Sequence, residues 1–411
     1  MAADMTCDEA QQLDAADPLA FARERFCLPQ GVIYLDGNSL GALPAATPAA
    51  LANTAERQWG EDLIASWNRH GWIDWPTTIA AKLAPIVGAK PNELLIADST
   101  SVSLFKLLAA ALRARPGRKT ILSQQANFPT DLYVAQGLAD LLGLKLKTMP
   151  ADEVLQAIDE DTAAVTLTHV DYRSARIHDM RAINDAAHSA GALTVWDLSH
   201  SAGAIELDVE GNGCDLAVGC GYKYLNGGPG APAFIYVAER LQHELSNPLQ
   251  GWMGHAEPFT FVDEYRPAEG ILKFLTGTPS ILAMAALDAG LSTFDGIAMA
   301  DVQAKSRKLS QLFVDEVEAR CGSEVRLASP RDAAQRGSHV VFGHPEGYAV
   351  MQALIARGVV GDFRAPDMMR FGFTPLYASY AEMVRAAEIL AGILATREWD
   401  QPRFKTRAKV T

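Results

Sequence analysis

The stretch Asp215-Leu-Ala-Val-Gly-Cys-Gly-Tyr-Lys-Tyr-Leu-Asn-Gly-Gly-Pro-Gly-Ala-Pro232 sets an apolar strand directly against a tyrosine, a lysine and a glycine-rich turn. In open α/β sheets ligands gather beyond the carboxyl ends of strands, so Lys223 stands where chemistry is expected. Burial at such a place lowers the pKa of an ammonium group, and the neutral amine is the form that condenses with an aldehyde. A lysine leaving a strand is more commonly a surface residue. The glycines that follow favour the functional alternative modestly, because they let backbone approach a ligand closely.

Outward from this strand, β-rich runs at 93–97, 120–123, 144–149, 163–168, 193–197, 216–220 and 233–237 alternate with helical or loop stretches. Helical spacing is clearest over 102–115 and 180–190. The alternation predicts an α/β fold with a large, doubly wound, mainly parallel sheet. From about residue 281 the pattern changes to a long helical stretch, 281–320, followed by strand candidates at 324–328, 339–342, 359–363 and 369–373. This predicts a smaller α+β C-terminal domain. A chain of 411 residues exceeds the size at which one core usually keeps growing. The expected division is a large domain over 35–280, with 1–34 and 281–411 supplying an N-terminal segment and the small domain. The N-terminal segment can lie on that small domain or on a second subunit.

Composition narrows the function. The 49 acidic residues outnumber the 36 basic ones, and the formal charge of −13 argues against nucleic acid or an anionic membrane as partner. A small anion can still bind, since helix N-termini and hydroxyls govern it more than global charge does. The basic residues Arg403, Lys405, Arg407 and Lys409 read as a solvated tail. The first 18 residues carry Asp4, Asp8, Glu9, Asp14 and Asp17 without an apolar core, which is unlike a secretory signal. No apolar run reaches the ~20 residues of a membrane span. The five cysteines are scattered without CxxC spacing, as reduced structural thiols are, so no metal site is expected and the cytoplasm is the expected compartment.

Three further strand ends carry polar groups. In Leu193-Thr-Val-Trp-Asp-Leu-Ser-His-Ser-Ala-Gly203 the apolar run ends in Asp197, with His200 just beyond. A carboxylate there can keep a pyridine nitrogen protonated, so that the ring takes up electrons from a carbanion. It can equally cap a following helix, and His200 can be a satisfied core histidine. Ala97-Asp-Ser-Thr-Ser-Val-Ser-Leu-Phe-Lys106 puts Thr100 and Ser101 where a helix starts, a good place for phosphate. Asn127-Phe-Pro-Thr-Asp131 offers Phe128 as a stacking face and Asp131 as its polar neighbour. Each of these is weak alone, since hydroxyl caps and exposed aromatic turns are common.

Taken together, Asn127-Phe-Pro-Thr-Asp131, Asp197-Leu-Ser-His-Ser-Ala-Gly203, Gly221-Tyr-Lys-Tyr-Leu-Asn-Gly-Gly-Pro-Gly230, Gly251-Trp-Met-Gly-His255 and Arg370-Phe-Gly-Phe-Thr-Pro-Leu-Tyr377 resemble the kynureninase signatures, in order and over nearly the full length. The lysine, the aspartate and the hydroxyl loop are also similar to those of the wider fold-type I pyridoxal 5′-phosphate (PLP) enzymes. The resemblance implies PLP as cofactor and hydrolysis of L-kynurenine to anthranilate and L-alanine, in tryptophan catabolism. It implies Lys223 as the Schiff-base lysine, Tyr222 as a phosphate ligand and proton donor, and Asp197 at the pyridine nitrogen. Thr100 and Ser101 would contact phosphate, with Asp131 helping at that end. Phe128 would stack on the ring, and Thr168 and His200 would be further cofactor contacts. Arg370 would hold the substrate's α-carboxylate. Trp252 and Thr278 would reach the phosphate from the partner of a homodimer.

Two features depart from the family pattern. Thr278 stands where eukaryotic relatives carry asparagine, and Arg173-Ser-Ala-Arg176 is a loose version of the family sequence. With Ser66-Trp67 resembling the bacterial form, in which an indole lines the aryl pocket, unsubstituted kynurenine is expected to be preferred over its 3-hydroxy derivative. Trp67 can instead be core packing beside Trp59, Trp72 and Trp75. The nearest rival, a cysteine desulfurase or class V aminotransferase, would need a reactive thiol, for which Cys321 is the C-terminal candidate. A PLP-binding regulator would need a basic DNA-binding domain, and no such stretch is evident.

Overall fold

The computed structural model describes residues 5–407. Seven strands, β2 (Leu94–Ala97), β3 (Thr120–Gln124), β4 (Lys145–Met149), β5 (Thr162–Thr168), β6 (Leu193–Asp197), β7 (Leu216–Cys220) and β8 (Ala233–Val237), follow the short β1 (Ile33–Tyr34). They form one sheet in the order β2-β8-β7-β6-β5-β3-β4, in which β8 alone runs against the rest. Every residue of β2, β3, β5, β6, β7 and β8 is buried, as expected of strands covered on both faces. Helices Thr100–Arg113, Pro129–Leu142 and Met180–Ala190 pack on the sheet. Because the strands other than β8 are parallel, Ala97, Gln124, Thr168, Asp197 and Cys220 end at one edge of the sheet. There Thr168 pairs with Asp197 in register, and Asp197 with Val218.

The continuous helical pattern over 281–320 divides in the structure. Helix Ile281–Leu291 and the one-turn Ser292–Phe294 precede Gly296, whose φ of +71° turns the chain before helix Met299–Cys321 begins. Met284, Leu287 and Leu291 join the larger core, so this first helix belongs with the sheet domain in packing terms. A second core gathers Leu309, Phe313, Val314 and Val317 with helix Tyr380–Thr396. It includes the four-stranded sheet β12 (Asp362–Arg364), β13 (Met368–Gly372), β10 (His339–Gly343) and β9 (Arg326–Leu327), all antiparallel. The strand read at 359–363 is two: β11 (Val359–Val360) pairs in parallel with β1, and the chain then turns into β12.

The start of the N-terminal segment, with Ala10, lies on this second core of its own chain, whereas Leu19, Ala22 and Phe26 join the larger core. The Asp14 carboxylate accepts from the backbone amides of Tyr380 and Ala381 at 2.6 and 3.1 Å, capping that helix, and Asp17 pairs with the buried Lys305 at 2.6 Å. The basic residues of the tail, Arg403, Lys405 and Arg407, are exposed as expected, while the chain between them is anchored. Phe404 is buried in the second core, and the Arg407 guanidinium sits 5.7 Å from the Tyr348 ring centroid. Lys409, like Asp4 at the other end, lies outside the described residues. Among the described residues no single helix is long and apolar enough to cross a membrane.

Candidate active site

The carboxyl edge of the large sheet collects most of the residues singled out above. Lys223 follows β7 by three positions, in a turn closed by Gly227 N–H on Gly221 C=O and Asn226 N–H on Lys223 C=O. A loop from the N-terminal part of the chain presses on it. Gly41 N–H donates to Tyr222 C=O at 2.8 Å, and a Cβ on Gly41 would come within 2.4 Å of Lys223 O, so only glycine fits. The Lys223 amine lies 5.7 Å from the Phe128 ring centroid and 5.9 Å from that of Tyr222. Burial raises the Tyr222 hydroxyl pKa further above its ordinary value, with Cys220 adding to the effect, so the phenol holds its proton.

Asp197 ends β6 and is 5% exposed. One of its oxygens accepts from Ser199 N at 2.8 Å and Ser199 Oγ at 2.5 Å, and Ser199 Oγ accepts in turn from Cys220 N. Thus its carboxylate closes a turn; no α-helix follows for it to cap. The same carboxylate is in hydrogen-bond contact with Asp131, and Asp131 accepts from Thr168 Oγ1 at 3.4 Å. Burial, and then the Asp197 charge, hold the Asp131 carboxyl well above its usual range, so Asp131 favours its protonated form. Asp131 thus stands beside Asp197. Thr168 belongs to the same cluster, donating to Asn127 Oδ1 at 2.5 Å.

The phosphate-like end is a cavity of about 610 Å³ lined by Ser39, Ser99, Thr100, Tyr222, Thr278 and Pro279 among others. Helix Thr100–Arg113 starts there. Ser99 caps it through Val102 N, and Asp98 reaches the left-handed φ of +50° to turn strand into helix. Thr100 stands in the first turn, where free amides and the helix dipole favour an anion. Ser101, also in that turn, does not line the cavity. Thr278 borders it from the same chain and is exposed, whereas Trp252 is elsewhere, stacked on Phe261 and edge-on to Phe259. Trp67 is half-buried, packed edge-on to Trp72, and does not line the cavity.

His200 is 3% exposed, edge-on to His339 of β10 at 5.3 Å, and its Nδ1 finds no hydrogen-bond partner among the described residues. Burial first, then the Lys223 and Arg370 charges, depress its pKa well below the ordinary value, so the ring is neutral. Arg370, in β13, is 2% exposed and already engaged. Its Nε and Nη2 donate to Asp362 at 2.8 and 2.5 Å, Nη2 also to Ser39 Oγ at 3.0 Å, and Nη1 to Tyr172 C=O at 3.0 Å. Tyr172 packs edge-on to Phe128, which ties this cluster to the lysine.

Sequence reading passed over Ser39, Asn127, Ser199 and Asp362. Ser199 and Asn127 sat inside quoted motifs and their small polar side chains were a usable signal. Ser39, in Asp36-Gly-Asn-Ser-Leu40, had turn composition only. Asp362 had none, because its meaning comes from lying opposite Arg370 across two strands.

Comparison with known proteins places this geometry. Residues 302–390 match the family described as Kynureninase C-terminal domain. The chain is 48% identical over 414 residues to a kynureninase of Pseudomonas fluorescens, covering 99% of this chain and 100% of that one. It is 49% identical over 415 residues to a kynureninase of Burkholderia mallei, with the same coverage. Among solved structures it is similar to a cysteine desulfurase from Thermococcus onnurineus, with a TM-score of 0.78 at 21% identity, over 92% of this chain and 98% of that one. A cysteine desulfurase from Escherichia coli gives 0.77 at 19% identity, with the same coverage. At such identities the likeness is one of fold.

Proposed function

The chain belongs to the kynureninase family, and from that premise we propose that it is a PLP-dependent hydrolase that cleaves L-kynurenine to anthranilate and L-alanine. The observation that carries the proposal is the convergence of Lys223, Phe128, Tyr222 and the Asp131–Asp197 pair at one sheet edge. The residues fit the cofactor. Thr100 and Tyr222 line a cavity at a helix N-terminus suited to a phosphate, Phe128 offers a ring face, and the buried, unpartnered His200 Nδ1 is a polar atom that a bound group would satisfy.

When bound, PLP supplies an aldehyde for the substrate amine and an electron-poor ring that accepts the α-carbon electron pair. Lys223 takes the proton from that carbon and later returns one. Asp197, beside the protonated Asp131, would hold the ring nitrogen protonated. After water has added at the γ-carbonyl and the bond between the β- and γ-carbons breaks, Tyr222, whose phenol keeps its proton, would give that proton to the β-carbon and recover one from the hydroxyl left on the γ-carbon, so that the protons balance. Arg370 binds the α-carboxylate. Water and kynurenine then balance anthranilate and alanine.

A homodimer with shared sites completes the reading. Trp67 and Trp252 are away from the cavity of their own chain and would come to a site across the subunit boundary. Ile64 and Phe261, 81% and 77% exposed, supply the kind of apolar surface that an interface buries. Thr278 would do its work at the cavity it borders. Its lack of a carboxamide supports a preference for unsubstituted kynurenine, since a 3-hydroxyl finds one polar partner fewer. The five free thiols suit the cytoplasm. The desulfurase reading lacks its nucleophile. Cys321 is 5% exposed and burial pushes its thiol up to about 12.

The test is to add L-kynurenine to the purified protein with PLP and follow anthranilate fluorescence, then reduce with borohydride and map the labelled peptide. Anthranilate release and a label on Lys223 are expected. Labelling of another lysine, or no anthranilate, refutes the proposal.

A further inference from the structure

Arg370 is clamped before any substrate arrives. A guanidinium has two edges that can take a carboxylate in bidentate fashion, the Nε–Nη2 side and the Nη1–Nη2 end. The side edge is filled by Asp362, its cross-strand partner, through Oδ1 at 2.8 Å and Oδ2 at 2.5 Å. Among the described residues the end edge meets only neutral acceptors, Tyr172 C=O and Ser39 Oγ, and Ser39 lines the cavity that Thr100 and Tyr222 share. Ser39 Oγ itself donates to Asp362 at 2.9 Å.

Resting on the reading that Arg370 binds the substrate's α-carboxylate, we propose that Asp362 is a positioning residue. Its carboxylate holds the side edge of Arg370 and turns the end edge toward the cavity, where a substrate carboxylate replaces two neutral acceptors. Stability alone does not account for the pair. Asp362 and Arg370 side chains are 3% and 2% exposed, and burying two charges costs about as much as their attraction returns. Charge balance fits as well. Arg364 also bonds Asp362, at 2.7 Å, so two guanidiniums face one carboxylate and a positive excess is left for an anion. The neighbouring Asp36 does not cancel it fully, because burial, and then Asp362, raise its carboxyl far above the carboxylate range.

The experiment compares Asp362→Asn and Arg370→Lys in the PLP-loaded enzyme, measuring kcat and KM for L-kynurenine and the inhibition constant of L-kynurenine amide, which lacks the carboxylate. Asp362→Asn is expected to raise KM for the acid by about 10- to 100-fold, the range of one charge-assisted interaction, while kcat changes much less. Affinity for the amide should not change, nor the absorbance of the bound cofactor. Should Asp362→Asn not accumulate folded, Asp362→Glu keeps the charge but shifts it by one methylene, and a smaller rise confined to the acid is expected. If acid and amide lose affinity together, or KM does not move, Asp362 is a structural residue and the proposal fails. If Arg370→Lys fails to separate acid from amide, the carboxylate role of Arg370 falls, and this proposal with it.

Discussion

Lys106 shows how one buried charge supports the phosphate-like end of the site. Its side chain is fully buried in helix Thr100–Arg113, and the ammonium donates to Asp98 Oδ2 at 2.5 Å and to Phe274 C=O at 2.5 Å. Asp98 is 28% exposed. The two partners are therefore not equivalent under mutation. Asp98→Asn keeps the left-handed backbone, which asparagine also tolerates, and removes only the charge, leaving a buried ammonium on neutral acceptors. Stranding one member of a buried pair costs about 3–5 kcal/mol. The partial exposure of Asp98 and the depressed pKa of Lys106, caused by burial, place this case at the low end, near 3 kcal/mol, since the lysine can shed its proton. Lys106→Met leaves instead a carboxylate that can turn to water, at a cost of about 1–2 kcal/mol. Thermal melting of both variants and of the double mutant measures the difference. Asp98→Asn should melt about 1–3 °C below Lys106→Met, and the double mutant should lose less than the sum of the two. A larger drop for Lys106→Met, or strict additivity, would refute the reasoning.

Asp131→Asn imitates the protonated acid that burial and Asp197 impose, so kcat/KM should fall less than about 10-fold, while Asp197→Ala should lose at least about 100-fold and bind PLP more weakly; equal losses would contradict a neutral Asp131. The Asp36 carboxyl, pushed up from 3.8 to about 7 by burial first and by Asp362 second, keeps in the folded chain a proton that the unfolded chain has released. Between these values the native state binds more protons, so stability falls as pH rises and levels off above the upper one. Asp36→Asn should lack that slope, so the melting temperature of wild type relative to the variant should fall between pH 5 and pH 7.5, and a constant difference would contradict the assignment. For the homodimer, co-expressing Lys223→Ala with Trp252→Ala should restore about a quarter of wild-type sites, since half the dimers are mixed and each mixed dimer has one intact site of two. No recovery would mean that each subunit supplies its whole site.

The sequence by itself determined the sheet and the carboxyl-edge residues, because both are written in local patterns. Uninterrupted apolar runs such as 216–220 can be stable only when covered on both faces, and parallel strands must deliver Asp197, Thr168 and Lys223 to the same edge. Helix ends were legible to within two residues, as at Ser99, whose hydroxyl starts the helix earlier than the apolar spacing does. What needed the tertiary structure were relations between segments far apart in the chain. The break at Gly296 and the anchoring of the tail by Phe404 follow from the shape of the two cores. Asp131 meets Asp197 because the first turn of helix Pro129–Leu142 comes against the end of β6, and no spacing in the sequence encodes that distance. Arg370 was recognisable as a cation at a strand, but which of its edges is free was decided by Asp362 and Ser39, eight and 331 positions away, since electrostatic partners are chosen by proximity in space and not along the chain.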